Sequence, residues 1–383
     1  MIDRRALLAG FAATALPAFT DSDDGSVRLA LDAAARAAPA EGLAMLAGFD
    51  PRALSPARRL DLLTARAGLA IDAGLATRPG DYALRLRRTL GDADPLAARH
   101  RLDHALADLH ARAAPLFDRI GIAGDTIGAR YVRLFAETDG HYPEDDAGRQ
   151  QAVADMNRDL AARRAAVART IADVPPYCLD VAVRTLTPAE IAAGRQGYRA
   201  APAPGRPGAY IVDLADIRRR PAWSLPSVVA HELLPGHMIQ LGIEETGPPH
   251  PLRATYAAAF VEGWATYAET LAAPGFRDPR TMLGHLHWLI FRAARGRIDL
   301  GIHSEGWSPA EARTRLAAWQ GVPVYFAAFD TDLARIVKEP GTRAAEALAW
   351  LALADRAPRA AAARRHWHAA VLANGRKRLD ALL

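Results

Sequence analysis

Seven residues constrain this chain more than any other stretch of it: His231-Glu232-Leu233-Leu234-Pro235-Gly236-His237, set within a helical pattern. They form a variant of the H-E-x-x-H zinc helix, in which two His one turn apart share a face and the Glu beside the first polarises a water. Here the second His stands six residues after the first. On a straight helix that is about 240° of rotation and about 9 Å of rise, so the imidazoles point to different sides unless the helix breaks. Pro235 removes the hydrogen bond to the carbonyl of His231, and Gly236 tolerates the backbone needed to bring His237 back. The spacing predicts a helix that unwinds or bulges between Leu234 and His237, with residue 236 in a conformation that favours Gly.

Two His leave such a centre one protein ligand short. The candidate is Glu262, in Phe260-Val261-Glu262-Gly263-Trp264-Ala265, 25 residues beyond His237. That separation suits two antiparallel helices facing each other across a metal, joined by Gly247-Pro248-Pro249. Gly263 is expected to let this helix approach the first closely. Glu269, seven residues after Glu262, falls on the same face and is placed to hydrogen-bond a ligating His. The plainer readings are buried core histidines for His231 and His237, and a solvated carboxylate for Glu269. The adjacent Glu, the Pro-Gly break and the downstream Glu-Gly-Trp oppose the first of these.

At 383 residues, half of them hydrophobic, the chain supports a large core, as one domain or two closely packed ones, and is neither disordered nor fibrous. The formal charge is only +5, and the Arg residues are scattered rather than interleaved with aromatics, so nucleic-acid binding finds no support. The single Cys178 forms no internal disulfide and no Cys-rich zinc site, which leaves His and carboxylate ligands for any metal. Arg4-Arg5 followed by the short apolar run from Ala6 to Ala13 looks like a twin-arginine export signal over residues 1–18, cleaved after Ala15 or Ala18. On that reading the mature protein is exported, to the periplasm, and begins with a flexible acidic stretch, Asp21-Ser22-Asp23-Asp24. No other stretch approaches the ~18 apolar residues of a membrane span.

Helical periodicity dominates elsewhere. An N-terminal helical region, 25–175, carries helices at 56–77 behind Ser55 and at about 81–91, 94–121, 125–138 and 145–174, several entered through a capping Asp. Its His100, His104 and His110 belong to a solvated helix face. A second region, 176–383, opens with a small sheet, one strand at Leu179 to Thr185 and one at Tyr210 to Leu214. It then returns to helices at about 225–245, 250–273 and 279–303, with Ser308 to Glu311 as a capping box for the next. The two regions are expected to form one compact unit. His285 and His287, flanking Leu286, cannot share a face and read as packing. Trp264 and Trp307 suit core and pocket lining equally.

These motifs resemble the bacterial proteins grouped as domain of unknown function 885, among the gluzincin metallopeptidases. The matching residues are Arg206-Pro207-Gly208-Ala209-Tyr210, Leu225-Pro226 leading into His231 to His237 and Gln240, Glu262-Gly263-Trp264-Ala265 with Tyr267 and Glu269, Arg295, and Asp299 to His303. A weaker match spans His368 to Gly375. The resemblance implies a mainly α, gluzincin-like body with a small β-sheet beside the active helix, one zinc per chain, and hydrolysis of a peptide or amide substrate. Two departures stand out: the chain is short for the family, and Phe329 stands where members carry a Tyr, leaving Tyr325 as the substitute hydroxyl. On the mechanism so implied, Glu232 is the general base and His303 donates to the developing oxyanion. Arg295 pairs with Asp299 or grips a substrate carboxylate, and the Tyr210 strand binds an extended substrate along its edge. Alternative readings are a zinc amidase acting on a small non-peptide substrate, or a silent binding protein on the same fold. Oligomeric state is not legible in the sequence.

Overall fold

Side-chain caps set the helices of the N-terminal region. In the computed structural model, which describes residues 21–382, Ser55 opens α3 (Pro56–Thr77), and Asp81, Asp94 and Asp145 open α4 (Tyr82–Leu90), α5 (Pro95–Arg119) and α7 (Asp146–Thr170). Thr126 opens α6 (Ile127–Ala136) in the same way, each oxygen accepting an otherwise orphaned backbone N–H. The segment read as a twin-arginine signal, 1–18, lies outside the described residues.

The expected flexible acidic start is instead helical. Helix α1 (Asp21–Ala34) buries Val27, Leu31 and Ala34, spaced four and three residues apart, against α2 (Pro39–Leu46) and α3. That apolar stripe outweighs the acidic residues around it. With Leu252 and Tyr256 it makes a small core of its own.

The sheet has three strands rather than two. Strands β1 (Val181–Thr185), β2 (Tyr198–Ala200) and β3 (Gly208–Val212) lie in the order β1-β3-β2, with β3 parallel to β1 and antiparallel to β2. Short helix α8 (Pro188–Ala192) fills the β1–β2 connection. Because β3 sits in the middle, both of its edges are already paired, and the Tyr210 strand cannot accept an extended substrate as expected.

The helical run resumes with α9 (Leu225–Glu232), α10 (His237–Thr246), α11 (Pro251–Tyr256), α12 (Ala259–Ala272) and α13 (Pro279–Ser304). The helix expected at 225–245 is divided at the break its spacing predicts, and the single helix expected at 250–273 is two. Beyond α13 come α14 (Pro309–Gln320), α15 (Phe329–Lys338), α16 (Thr342–Arg356) and α17 (Ala361–Leu372). Ser308 caps α14, but the reciprocal half of the expected capping box does not form, because Glu311 turns to Arg315 instead. One cluster of buried residues runs from Tyr82 to Leu372, with α13 wedged between α5 and α16. Helix α12 packs on α16 and α9, which brings Glu262 to the end of the helix carrying His231. The fold is mainly helical with a small sheet.

Candidate metal centre

Helix α9 stops at Glu232, where Leu233 takes φ −118° and ψ −97°, and the Leu234-Pro235 bond is cis. Helix α10 then begins at His237, so the chain breaks where the six-residue spacing requires it. Gly236 has φ −76° and ψ −128°, which is not the left-handed region. Its need for glycine is steric: a Cβ there would lie 2.0 Å from the His231 carbonyl oxygen and 2.5 Å from that of Ala230. Trp264 closes the break from below, its indole Nε1–H donating to the Pro235 carbonyl at 3.2 Å.

The break brings the rings of His231 and His237 to a centroid separation of 4.7 Å, nearly perpendicular. One nitrogen from each and one oxygen of Glu262 lie within 4.8 Å of one another. Glu262 reaches the Nε2 of both rings, at 3.3 Å to His231 and 3.4 Å to His237. Glu269, two turns along α12, accepts from His231 Nδ1 at 2.8 Å. The two carboxylates thus hold opposite sides of one imidazole, which in its neutral form turns the Nε2 lone pair toward His237 and Glu262. Neither nitrogen of the buried His237 ring makes a hydrogen bond. Orphaned buried nitrogens beside an ionised carboxylate are what a divalent metal would satisfy, and the residues fit zinc in number and type.

Electrostatics prepare these groups. Burial and the Arg199 guanidinium push the His237 pKa down to about 4, so its ring is neutral at physiological pH. Burial and Arg292 also oppose a charge on His231, but Glu262 and Glu269 outweigh them and lift it to about 8. Burial works against ionisation of Glu262, yet Arg292 and the two imidazoles hold it well below the usual carboxylate range. Glu232 is likewise held down against burial by Arg199, whose Nη1 stands 2.8 Å from its Oε2.

Glu232 lies in the wall of a cleft of about 710 Å³, which Arg199, Tyr210, Arg220, Tyr325 and Phe326 also line. Arg199 is directly opposite Tyr210 in the β2–β3 register, so both side chains leave the same face of the sheet. The Tyr210 and Tyr325 hydroxyls are 3.1 Å apart. Phe329 packs on the main core, while Tyr325 brings its hydroxyl to the cleft.

Three predicted residues are not brought here. His303 donates to the Ile336 carbonyl at 3.0 Å and stacks on Tyr82. It lies 11 residues beyond Arg292 on α13, about 16 Å along the axis, too far to donate to an oxyanion at Glu232. Asp299 caps α16, accepting from the backbone N–H groups of Gly341, Arg343 and Ala344 and from the Tyr82 hydroxyl. With that carboxylate occupied, Arg295 pairs with Asp332 of α15 at 2.8 Å. Gly263 does serve a close approach, but to α16 rather than α9: its Cβ would stand 2.5 Å from that of Ala349.

Three others were missed. Arg292 sits one turn before Arg295 and points its guanidinium at His231 Nε2 (3.1 Å) and Glu262 (3.2 Å). Ser227 is one turn before His231 and donates to Glu269 at 2.7 Å, while its oxygen meets His285 Nδ1 at 3.0 Å. That i, i+4 relation to His231 was the available signal for Ser227. Arg199 lies on a three-residue strand, too short for a periodic signal. His285, read as packing, therefore backs the chain of hydrogen bonds that holds His231, whereas His287 does pack, against Tyr131 and Phe135. His110 is half-buried and donates to the Trp319 carbonyl, so it is not simply solvated.

The sequence model of a family described as bacterial protein of unknown function (DUF885) matches residues 4–382. No curated protein matches the chain. A solved structure from Colwellia psychrerythraea, provisionally described as a lipoprotein, is 21% identical, covers 94% of this chain and 68% of its own, and superposes with a TM-score of 0.68. Another from Shewanella oneidensis, provisionally described as a lipoprotein of unknown function, is 15% identical over 93% of this chain and 72% of its own, with a TM-score of 0.61. At these identities the likeness is one of fold.

Proposed function

The chain belongs to the bacterial DUF885 family, and on that premise we propose that it is a gluzincin-type, zinc-dependent hydrolase of peptide bonds. His231, His237 and Glu262 hold one zinc ion, and Glu232 is the general base. The observation that carries this reading is the convergence of those three ligand atoms within 4.8 Å beside a carboxylate open to a cleft, since a purely structural metal needs no neighbouring base.

Zinc, when bound, lowers the pKa of a coordinated water to about 7 and polarises the scissile carbonyl. Everything else falls to the chain. Glu232 takes the water's proton and passes it to the leaving amine. Arg199 keeps that carboxylate ionised and oriented. Glu269, itself held by Ser227, fixes the His231 ring with Nε2 forward. The paired hydroxyls of Tyr210 and Tyr325 are the donors available to a substrate carbonyl, in the role first given to His303. Substrate strand addition, if used, falls to β2, the edge strand that carries Arg199, rather than to β3.

Export by a twin-arginine signal is part of the same proposal. It rests on Arg4-Arg5 and is in keeping with the lipoprotein description of both similar structures. Unchanged export of a chain with Arg4→Lys and Arg5→Lys would remove it.

The test of the activity is incubation of the zinc-loaded protein with a mixed peptide library, read by mass spectrometry, beside Glu232→Gln. New termini should appear with the first and fall by about 10³-fold or more with the second, as expected for loss of a general base acting with zinc. No cleavage by a fully loaded wild-type protein would reject peptide hydrolysis.

A further inference from the structure

Three guanidinium groups approach the cleft and the centre beside it, and two of them are committed. Arg199 pairs with Glu232, and Arg292 with Glu262 and His231. Arg220 is not. It lines the cleft yet is only 4% exposed, it has no carboxylate within ion-pair distance among the described residues, and its Nη1 is buried without a hydrogen-bond partner. A buried cation left unpaired is unfavourable unless something else meets it.

The surroundings hold it in place rather than neutralise it. The guanidinium lies 3.4 Å from the centre of the Tyr325 ring, and the Tyr325 hydroxyl meets that of Tyr210. Arg219 fastens the Tyr325 segment from the other side, donating to the Val324 carbonyl at 2.6 Å. A cation stacked on an aromatic face keeps its in-plane N–H donors free, and in arginine these form a fork that matches a carboxylate. Asp213 and Asp216 line the same cleft and repel a doubly charged group such as a phosphate about twice as strongly as a singly charged one.

We propose that Arg220 is a carboxylate receptor, and that the substrates are peptides with a carboxylate, C-terminal or on a side chain, positioned in the cleft next to Glu232. The peptide nature of the ligand rests on the hydrolase reading above. The receptor places one end of the substrate in the cleft that the Tyr210 and Tyr325 hydroxyls and the base also line.

Binding is measured by calorimetry on the full-length chain in the presence of a chelator, so that nothing is cleaved and no metal captures the carboxylate. Two pairs of probes separate the sources of charge: trialanine against its C-terminal amide, and acetyl-Ala-Glu-Ala-amide against acetyl-Ala-Gln-Ala-amide. The acid in at least one pair should bind about tenfold or more tightly than its neutral partner, as for a charge-assisted hydrogen bond. Preference in the first pair identifies a terminal carboxylate and preference in the second a side chain. Arg220→Gln should abolish the preference. Arg220→Lys, which keeps the charge and the packing but not the fork, should bind with the preference reduced about three- to tenfold, and decides the matter if the Gln variant does not fold. A mere prop for Tyr325 would lose stability without losing preference. Equal binding within both pairs, no binding of any probe, or a preference unchanged in either variant would overturn the inference. Each of these leaves the hydrolase reading intact, whereas peptides that bind through Arg220 in chelator yet stay uncleaved by the zinc-loaded protein would count against the hydrolase reading alone.

Discussion

Glu262 and Glu269 sit on one face of one helix and do different things to the same imidazole. Glu269 is buried and holds Nδ1, while Glu262 is open enough to turn toward a metal along with both Nε2 atoms. Glu262→Ala should therefore lose zinc, from about one per chain to near none by elemental analysis, while Glu232→Gln retains it, because the carboxylate paired with both imidazoles is Glu262, and Glu232 pairs with Arg199. Full zinc in Glu262→Ala would remove it as a ligand. The convergence of His231, His237 and Glu262, with Glu232 beside them and Glu269 behind His231, was legible because residue type and helical spacing point to it together. Arg292, Arg199 and Arg220 were not, since an arginine in an Arg-rich chain looks the same whether it faces solvent or a buried carboxylate. His303 misled for a related reason: Arg295, Asp299 and His303 share a face of α13, but a helix of that length passes several neighbours, and theirs are α15 and α16.

The broken helix is the element on which the site depends. Gly236 packs its α-carbon against the carbonyl that Pro235 leaves without an intrahelical donor, and Trp264 holds the Pro235 carbonyl. Gly236→Val has to move its Cβ away from the His231 carbonyl, and with it the start of α10. Zinc affinity in competition with a chelator should fall by about ten- to a hundredfold although no ligand is removed, the range found when a ligand's support is disturbed. Unchanged affinity would mean that the break tolerates a side chain. Each residue of Glu262-Gly263-Trp264 thus has its own work: one faces the imidazoles, one lets α16 approach and one anchors the break. The break was readable as a necessity of spacing, but the steric reason for its glycine was not, because that depends on a backbone path no pattern specifies.

At the scale of the whole molecule, helix starts were the most legible feature, since a capping oxygen and a following apolar stripe are both local. Strand β2 is only three residues long, and helix α1 and the α11–α12 division depend on Leu252 and Tyr256 meeting helices distant in sequence, so all three went unread. The same burial that organises the core leaves an acid-sensitive group in it. His287 is enclosed by Tyr131 and Phe135, and burial pushes its pKa down to about 4. Between about pH 6.5 and 4 the unfolded chain binds a proton there that the folded chain does not, so stability declines as pH falls through that window, by up to about 3 kcal/mol from this residue. Denaturant melts of His287→Phe should show a shallower decline than wild type over that range, and parallel curves would assign the acid sensitivity elsewhere.

A zinc-soaked crystal examined by anomalous scattering at the zinc edge shows directly whether His231, His237 and Glu262 hold the metal. A single strong peak per chain is expected, with His231 Nε2, His237 Nε2 and a Glu262 oxygen at about 2.0–2.2 Å, and with the Arg292 guanidinium withdrawn from His231. A peak elsewhere, or none while Arg292 keeps its contacts with His231 and Glu262, would contradict it.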